Sequence, residues 1–337
     1  MNIKEVARLA KVSTATVSRT INGSNKVTPE TAARVRKAIE ALRYYPNTNA
    51  RALGSGRSSL YGLIISDITN PFFPELVKSF EDIAVQHGQE VLVANTDYDP
   101  HRTEICVGRM LQRKVDGVAI MTSEMDKHLI EEFSHRNIPL AFLDTASAQK
   151  GISNIRVNYA AGIDAAVEYL IGLGHTAIAF IAGPPSLSSA RIRKRAFLNI
   201  LRRKGISMDA RYIEQGNHRT DGGHEAMRRL LNLGARPTAV IASNDLTAIG
   251  AMGAIFEHGL RIPQDISLIG FDDIELCSFT QPALTTVRLS RQEIARLAFR
   301  ALFNTYQTEN WEGAEYVVQP VLVVRKSAGP VPANLGR

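Results

Sequence analysis

The sequence predicts a small all-α head followed by an α/β body of two doubly wound parallel-sheet lobes. Three observations carry this: basic charge collects at one end, hydrophobic spacing changes near residue 60, and from there short apolar runs alternate with amphipathic stretches. Of 337 residues, 40 are Lys or Arg and 33 are Asp or Glu, a formal +7. Residues 1–60 hold eleven basic and three acidic side chains, a local +8, which leaves −1 for the other 277. The length fits two domains at roughly 150 residues each. Such asymmetry points to a polyanion, nucleic acid or a membrane surface, met by one end only.

The opening MNIKEVAR is charged throughout and lacks the apolar stretch of a secretory signal. No run approaches the ~18 apolar residues of a membrane span, and residues 248–256 are among the longest candidates. An unexported cytoplasmic chain with no membrane partner is expected. Cys106 and Cys277 lie far apart without CxxC or a His at ligand spacing, so two small buried thiols are expected and no metal.

In the head, Ile3, Val6, Ala7 and Ala10 fall at helical spacing, as do Val17 and Ile21, and Ala32, Val35, Ile39 and Leu42. Asn2 with Glu5 three residues on reads as a capping box, Ser13 precedes a second helix, and Thr28-Pro29 reads as an N-cap with Pro at the first helical position. Residues 46–59, PNTNARALGSGRSS, form a linker with at most two helical turns. Strands are then expected at 60–66, 90–95, 117–122, 138–143, 177–182, 238–242 and 266–271. Helices are expected near 73–87, 102–113, 127–136, 159–173, 189–204, 222–233, 246–258 and 290–306. This βα alternation implies parallel sheets covered on both faces, and the break near 150–160 implies two lobes with ligand at the strand carboxyl ends between them.

Residues 6–22 have the layout of a helix-turn-helix: Ala7 at a close helix approach, Lys11-Val12-Ser13 in the turn, and Thr14, Ala15, Ser18 and Arg19 outward on the second helix. A plain three-helix bundle with a solvated basic face fits the same spacing, and the confinement of charge argues against it.

The chain resembles the lactose-repressor/galactose-repressor family of bacterial transcription regulators along nearly its whole length. The segments are IKEVARLAKVSTATVSRTIN, YYPNTNARAL, NPFF at 70–73, DG at 116–117, GHTAIAFIAGP at 174–184, ASNDLTAIGAM at 242–252, LRIPQDISLIGFDD at 260–273 and QPALTTV at 281–287. Each alone is weak; eight in order are specific. The resemblance implies base contacts from Thr14, Ala15 and Arg19, and phosphate contacts from Ser13, Thr16, Ser18, Asn22 and Thr28. It also implies a hinge helix with Asn47, Ala50 and Leu53, the last wedged into the minor groove. A helix of roughly seven residues is unstable alone, below the ~12–15 needed, so it would form only against a second hinge and DNA. The alternative is a flexible tether with Leu53 on the body. Lys11 departs from the Gly common in such turns.

The resemblance further implies a body like the periplasmic sugar-binding proteins, with a small effector at Phe73, Asp144, Arg193, His218, Asn244 and Asp272. Carboxylate, amide and guanidinium suit hydroxyl-rich ligands, with an aromatic ring on the apolar face. By pattern alone RIRKR at 191–195 reads as a solvated helix face, and Asp272-Asp273, with no further carboxylate in view, as a turn rather than a metal pair. His218 stands where the family often has an aromatic, which disfavours a flat purine and favours a sugar or sugar acid. The implied divisions are a DNA-binding head at 1–45, the hinge at 46–59, a body at 60–330 and a tail at 331–337. Within the body, one lobe takes about 60–158 and 290–318, the other about 159–289 and 319–330.

Catalysis is disfavoured: GLG at 172–174 follows a helix and precedes a strand, and there is no GxxxxGK[ST], GxSxG or HExxH. The expectation is a homodimeric regulator, most simply a repressor, of pseudo-palindromic operator DNA, controlled by a carbohydrate-like effector and needing no cofactor. A sugar-binding protein without a DNA role is the alternative. The tail SAGPVPANLGR has no apolar heptads to join dimers into tetramers.

Overall fold

The computed structural model describes residues 2–21, 23–45, 57–122, 125–144, 147–207, 209–305 and 311–332. The chain divides into two compact units between Ser59 and Leu60. The first unit holds three helices: α1 (Ile3–Ala10), α2 (Thr14–Ile21) and α3 (Pro29–Ala41). Asn2 and Glu5 make the reciprocal capping box expected of them. Ser13 Oγ accepts the Thr16 N–H at 3.1 Å, and Thr28 Oγ1 accepts the Thr31 N–H at 3.3 Å. Each bond satisfies one of the donors that a helix start leaves free. Val6, Ala7, Ala10, Val17, Val35 and Ala38 close the core, and Lys11 turns the chain from α1 toward α2 in a left-handed conformation, φ 54°.

The second unit has two lobes. In the first, β1 (Leu60–Ile65), β2 (Glu90–Asn95), β3 (Gly117–Met121), β4 (Leu140–Leu143) and β5 (Ile152–Val157) alternate with α4 (Phe72–Gln86), α5 (Pro100–Gln112) and α6 (Lys127–Ser134). The second contains α7 (Tyr159–Gly172), β6 (Ile178–Ala182), α8 (Ser188–Arg203), β7 (Ile213–Gln215) and α9 (Thr220–Leu231). It continues with β8 (Ala239–Ala242), α10 (Asp245–Glu257), β9 (Ser267–Asp272) and β10 (Thr285–Arg288). The chain then returns: α11 (Arg291–Thr305) packs on α4, β3 and β4, β11 (Glu315–Val318) joins the first sheet, and β12 (Val321–Val323) joins the second. Covalent connections between lobes therefore fall at 158, 289–290 and 319–320.

The sheet orders are β11-β5-β4-β3-β1-β2 and β12-β10-β9-β8-β6-β7. In each lobe the order reverses beside the first strand, β1 or β6, and ligands of open α/β sheets bind at that crevice beyond the strand carboxyl ends. The first sheet is wholly parallel. The second is parallel except at its edge, where β12 runs antiparallel to β10, with Val287 opposite Leu322. Five strands lie outside the expected set: β5, β7, β10, β11 and β12. The first and third are masked by polarity: β5 buries Ser153 and Asn154, and β10 buries Thr285 and Thr286, each with hydrogen-bond partners. In the second lobe α9 and α10 meet backbone to backbone. A Cβ on Gly250 would stand 1.9 Å from the Thr220 carbonyl oxygen, and one on Gly223 2.2 Å from that of Thr247.

Candidate functional site

On α2, Val17 is buried and Thr14, Ala15 and Arg19 are exposed, with Thr16 and Ser18 half-buried. Residues 14, 15, 18 and 19 share one face at helical spacing, opposite the core. Ser13 and Thr28, both exposed, spend a side-chain oxygen on a helix start, and their hydroxyls also contact Thr16 and Thr31. Asn22, Asn47, Ala50 and Leu53 lie outside the described residues.

In the body, one cavity of about 660 Å³, counted to its mouth, lies between the lobes and is lined by all six residues named for the effector. They arrive from strand ends and helix starts. Phe73 sits in the first turn of α4, whose Phe72 N–H is held by Asn70 Oδ1 at 3.1 Å. Asp144 follows β4, Arg193 is on α8, His218 precedes α9, Asn244 caps α10 and Asp272 ends β9. Three of the six, Asp144, His218 and Asp272, have positive φ (66°, 65° and 117°), an adverse backbone retained where surroundings fix it. For Asp272 the fixing is visible: Arg291 donates to the carbonyls of Asp272 and Asp273, both at 2.7 Å.

Arg193 is not on a solvated face. It is 5% exposed, and its guanidinium carbon lies 4.6 Å from the Tyr159 ring centroid and 4.3 Å from that of Phe271. Its Nη1 donates to the Ser243 carbonyl at 2.6 Å, Nη2 stands 3.8 Å from Asp272 Oδ1, and Nε has no partner. Burial pushes the Asp272 carboxyl up to about 7, against the pull of Arg193 and with Asp245 adding to the rise. Asp245 is the carboxylate that sequence reading did not place here. It is fully buried, and its oxygens are filled by the Thr286 hydroxyl at 2.5 Å and the Ile274 N–H at 2.9 Å. Asp273 turns away to Arg288 and Arg325, and the described residues contain no cluster able to hold a metal ion.

The other polar groups are already engaged. Asp144 accepts the Val157 N–H at 2.7 Å and the Tyr159 hydroxyl at 2.6 Å, while burial raises its carboxyl to about 6. Asn244 accepts the Thr247 N–H at 2.9 Å and donates to the His218 carbonyl at 3.0 Å. His218 as a residue is half-buried, yet its ring is enclosed: a Cβ on Gly183 would meet Nε2 at 1.9 Å. Burial, and then Arg193, push it down to about 3, so the ring is neutral, with Nε2 2.9 Å from Ser243 Oγ. Asp272 is the exception. Its carboxylate accepts no hydrogen bond from the described residues and faces the cavity. Tyr98, Tyr159, Ser66 and Thr122 also line it and were not singled out from sequence. Ser66 and Thr122 directly follow β1 and β3, the strand ends flanking the crevice, and that position was the available signal. Across the mouth, Arg219 reaches from the second lobe to Asp67 at 3.4 Å and Asp97 at 3.5 Å.

A helical head with an exposed polar face, followed by a two-lobed body with an interlobe cavity, defines an effector-responsive regulator. Residues 2–47 match the lacI family of bacterial regulatory proteins, and residues 167–328 match a periplasmic binding protein-like domain. The chain is 35% identical over 327 residues to the ribose operon repressor of Escherichia coli (strain K12), covering 97% of this chain and 99% of that one. Its structure is similar to that of the Lac repressor dimer bound to operator and the anti-inducer ONPF. The TM-score is 0.87 at 31% identity, covering 98% of this chain and 99% of the other. It is also similar to a LacI family transcriptional regulator from Enterococcus faecium with bound ribose. There the TM-score is 0.71 at 29% identity, covering 81% and 99%. The chain belongs to the lacI family of bacterial regulatory proteins, and its relatives are transcriptional repressors rather than enzymes. Among the described residues no helix is long and apolar enough to cross a membrane.

Proposed function

We propose that the chain is a cytoplasmic, homodimeric repressor of a pseudo-palindromic operator, whose DNA affinity is set by an uncharged sugar of ribose type held between the lobes. No cofactor is needed. The observation that carries the sugar reading is the open Asp272 carboxylate beside the Arg193 guanidinium, which is held between two aromatic rings and keeps Nε and Nη2 unbonded. A carboxylate with free lone pairs takes two neighbouring hydroxyl donors. An anionic ligand would meet the Asp272 carboxylate 3.8 Å from Arg193, which among the described residues is the one basic side chain lining the cavity besides the neutral His218. The ribose-bound E. faecium structure and the operator-bound Lac repressor dimer support the same reading.

The head supplies the other half. Arg19 would pair with a guanine edge, Thr14 and Ala15 would meet neighbouring bases, and Ser13, Thr16, Ser18, Asn22 and Thr28 would seat the phosphates. Asn47, Ala50 and Leu53 would form the hinge. Because the sugar touches both lobes, it shifts the balance between lobe arrangements by its difference in affinity for them, and operator affinity follows. The test is calorimetric titration with D-ribose, paired with operator binding by fluorescence anisotropy with and without it. Saturating D-ribose at about 100 times its Kd should stabilise the protein by about 2.7 kcal/mol. Absence of binding heat, or operator affinity unaltered by bound ribose, would overturn the reading.

A further inference from the structure

The helix α8 presents two different faces. Arg193 points from it into the sugar cavity, whereas the opposite side walls a surface groove of about 760 Å³ to its mouth, which shares no residue with that cavity. Arg191, Lys194, Arg195 and Arg202 stand along this wall at helical spacing, and Gly183, Pro185, Ala190 and Leu198 supply the apolar surface beside them. Its described lining residues include no carboxylate and no aromatic ring.

Overall composition does not account for this charge, since the chain beyond residue 60 sums to −1. The cations that follow on the same helix are neutralised: Arg203 pairs with Asp164, and Lys204, at the helix end, with Glu168 at 2.7 Å. The four groove cations have no carboxylate partner among the described residues. Arg191 is anchored instead on two neutral carbonyls, those of Pro185 at 2.7 Å and Ser186 at 2.6 Å, which fixes its charge at the rim before anything binds. Arg202 reaches only the Asn199 amide oxygen, at 3.4 Å.

We propose that this groove docks an acidic amphipathic helix of a partner protein, its carboxylates along the α8 cations and its apolar stripe on the surface beside them. From Arg191 to Arg202 is eleven residues of helix, about 16 Å at 1.5 Å per residue, which is three helical turns and more than a single phosphate can span. Arg191, Arg195 and Arg202 recur at the four- and seven-residue intervals at which a second helix laid alongside presents carboxylates from one face. The apolar surface gives leucine-type side chains a seat and offers nothing to a purely anionic chain. With no ring for bases to stack on, a nucleic-acid strand fits it poorly.

The test titrates the full chain, by fluorescence anisotropy, with a labelled synthetic peptide of about four helical turns that carries Glu at every third or fourth position beside a stripe of Leu. The peptide is expected to bind, and to bind about tenfold or more weakly when Arg195→Glu and Arg202→Glu together turn two attractions into repulsions. Scrambling its sequence at constant composition should weaken it to a similar degree. Both arginines are exposed, so the double variant should melt as the parent does. In the unsubstituted protein, bound peptide should shield Lys194 from acetylation by an N-hydroxysuccinimide ester, read by mass spectrometry, which does not depend on the variant's folding. No binding, equal affinity for the scrambled peptide, unaltered affinity in the double variant, or no shielding of Lys194 each overturns the proposal. A loss of affinity for non-operator duplex DNA in the double variant, with peptide affinity unaltered, would assign the face to nucleic acid and overturn it equally.

Discussion

Arg193 and Asp272 face one another at 3.8 Å inside the cleft, too far for a hydrogen bond and close enough for each to hold the other's charge. Because the guanidinium is also fixed between Tyr159 and Phe271, it cannot swing to close the gap. The carboxylate therefore stays available to a ligand. Asp272→Asn keeps the shape but loses acceptor strength, and should weaken D-ribose binding by about 1.5–3 kcal/mol, the worth of hydrogen bonds to a charged group. Operator affinity without sugar should change little. Calorimetry and anisotropy on the same preparation check both, and unaltered sugar affinity would remove Asp272 from the site.

The cleft also sets a pH dependence. Burial raises the carboxyl groups of Asp144 to about 6 and of Asp272 to about 7, above their ordinary values near 4. Between those limits the folded protein holds protons that the unfolded chain has released, so stability is greatest at low pH within that window and is lost as pH rises through about 6 to 7. Hydroxyl donors favour the charged carboxylate, so sugar binding should expel a proton near neutrality and weaken as pH falls below about 7. Titrations in two buffers of different ionisation enthalpy measure that proton. His218, held neutral by burial, acts in the opposite sense below about 6.5, so the comparison with Asp272→Asn isolates the carboxyl: across melts from about pH 5 to 8 the variant should lack the loss of midpoint with rising pH that Asp272 adds to the parent.

Arg19 is exposed on the outward face of α2, while Lys11 bears the strain of the turn before it. Arg19→Ala should cost about 1–3 kcal/mol of discrimination at one operator position. Lys11→Gly should raise the thermal stability of the head by up to about 1 kcal/mol, because glycine adopts φ 54° without a Cβ clash. With +8 in residues 1–60 and −1 in the rest, operator affinity should fall steeply with salt and sugar affinity should stay flat. Operator titrations at several salt concentrations, with a set of single-base operator variants, separate these effects.

Gly250 lets α10 lie directly on α9, and a methyl group there would overlap the Thr220 carbonyl. Although alanine favours helices, Gly250→Ala should destabilise the body by about 1–3 kcal/mol or more through forced separation of the two backbones. Urea unfolding gives the number. Gly108→Ala on α5, where a Cβ meets nothing within 4 Å, should be neutral or mildly stabilising and serves as the control.

Legibility followed the strength of each local signal. Capping at Asn2, Glu5 and Thr28 was readable because the chemistry lies within three residues, and the positive φ at Lys11 followed from the turn it occupies. The shared cavity of Phe73, Asp144, Arg193, His218, Asn244 and Asp272 came from the family resemblance, since no local pattern ties residues so distant. Periodicity argued against Arg193, because only tertiary packing of Tyr159 and Phe271 distinguishes it from the exposed Arg191 and Arg195 beside it. Asp245 reads as an ordinary first-turn acid, and its burial depends on β10, a strand hidden by its threonines. Tyr98 follows no strand or helix pattern at all.

The three connections at 158, 289–290 and 319–320 make each lobe a braid of non-adjacent chain segments. Truncation after the first connection would strip the first sheet of β11 and of the α11 cover, so a contiguous fragment cannot reproduce either lobe. A ribosome must also release the chain to about residue 323 before both sheets can be completed, so sugar recognition is a property of the finished polypeptide. A swap of the whole body between regulators at the boundary after Ser59 should preserve function far better than any exchange of single lobes.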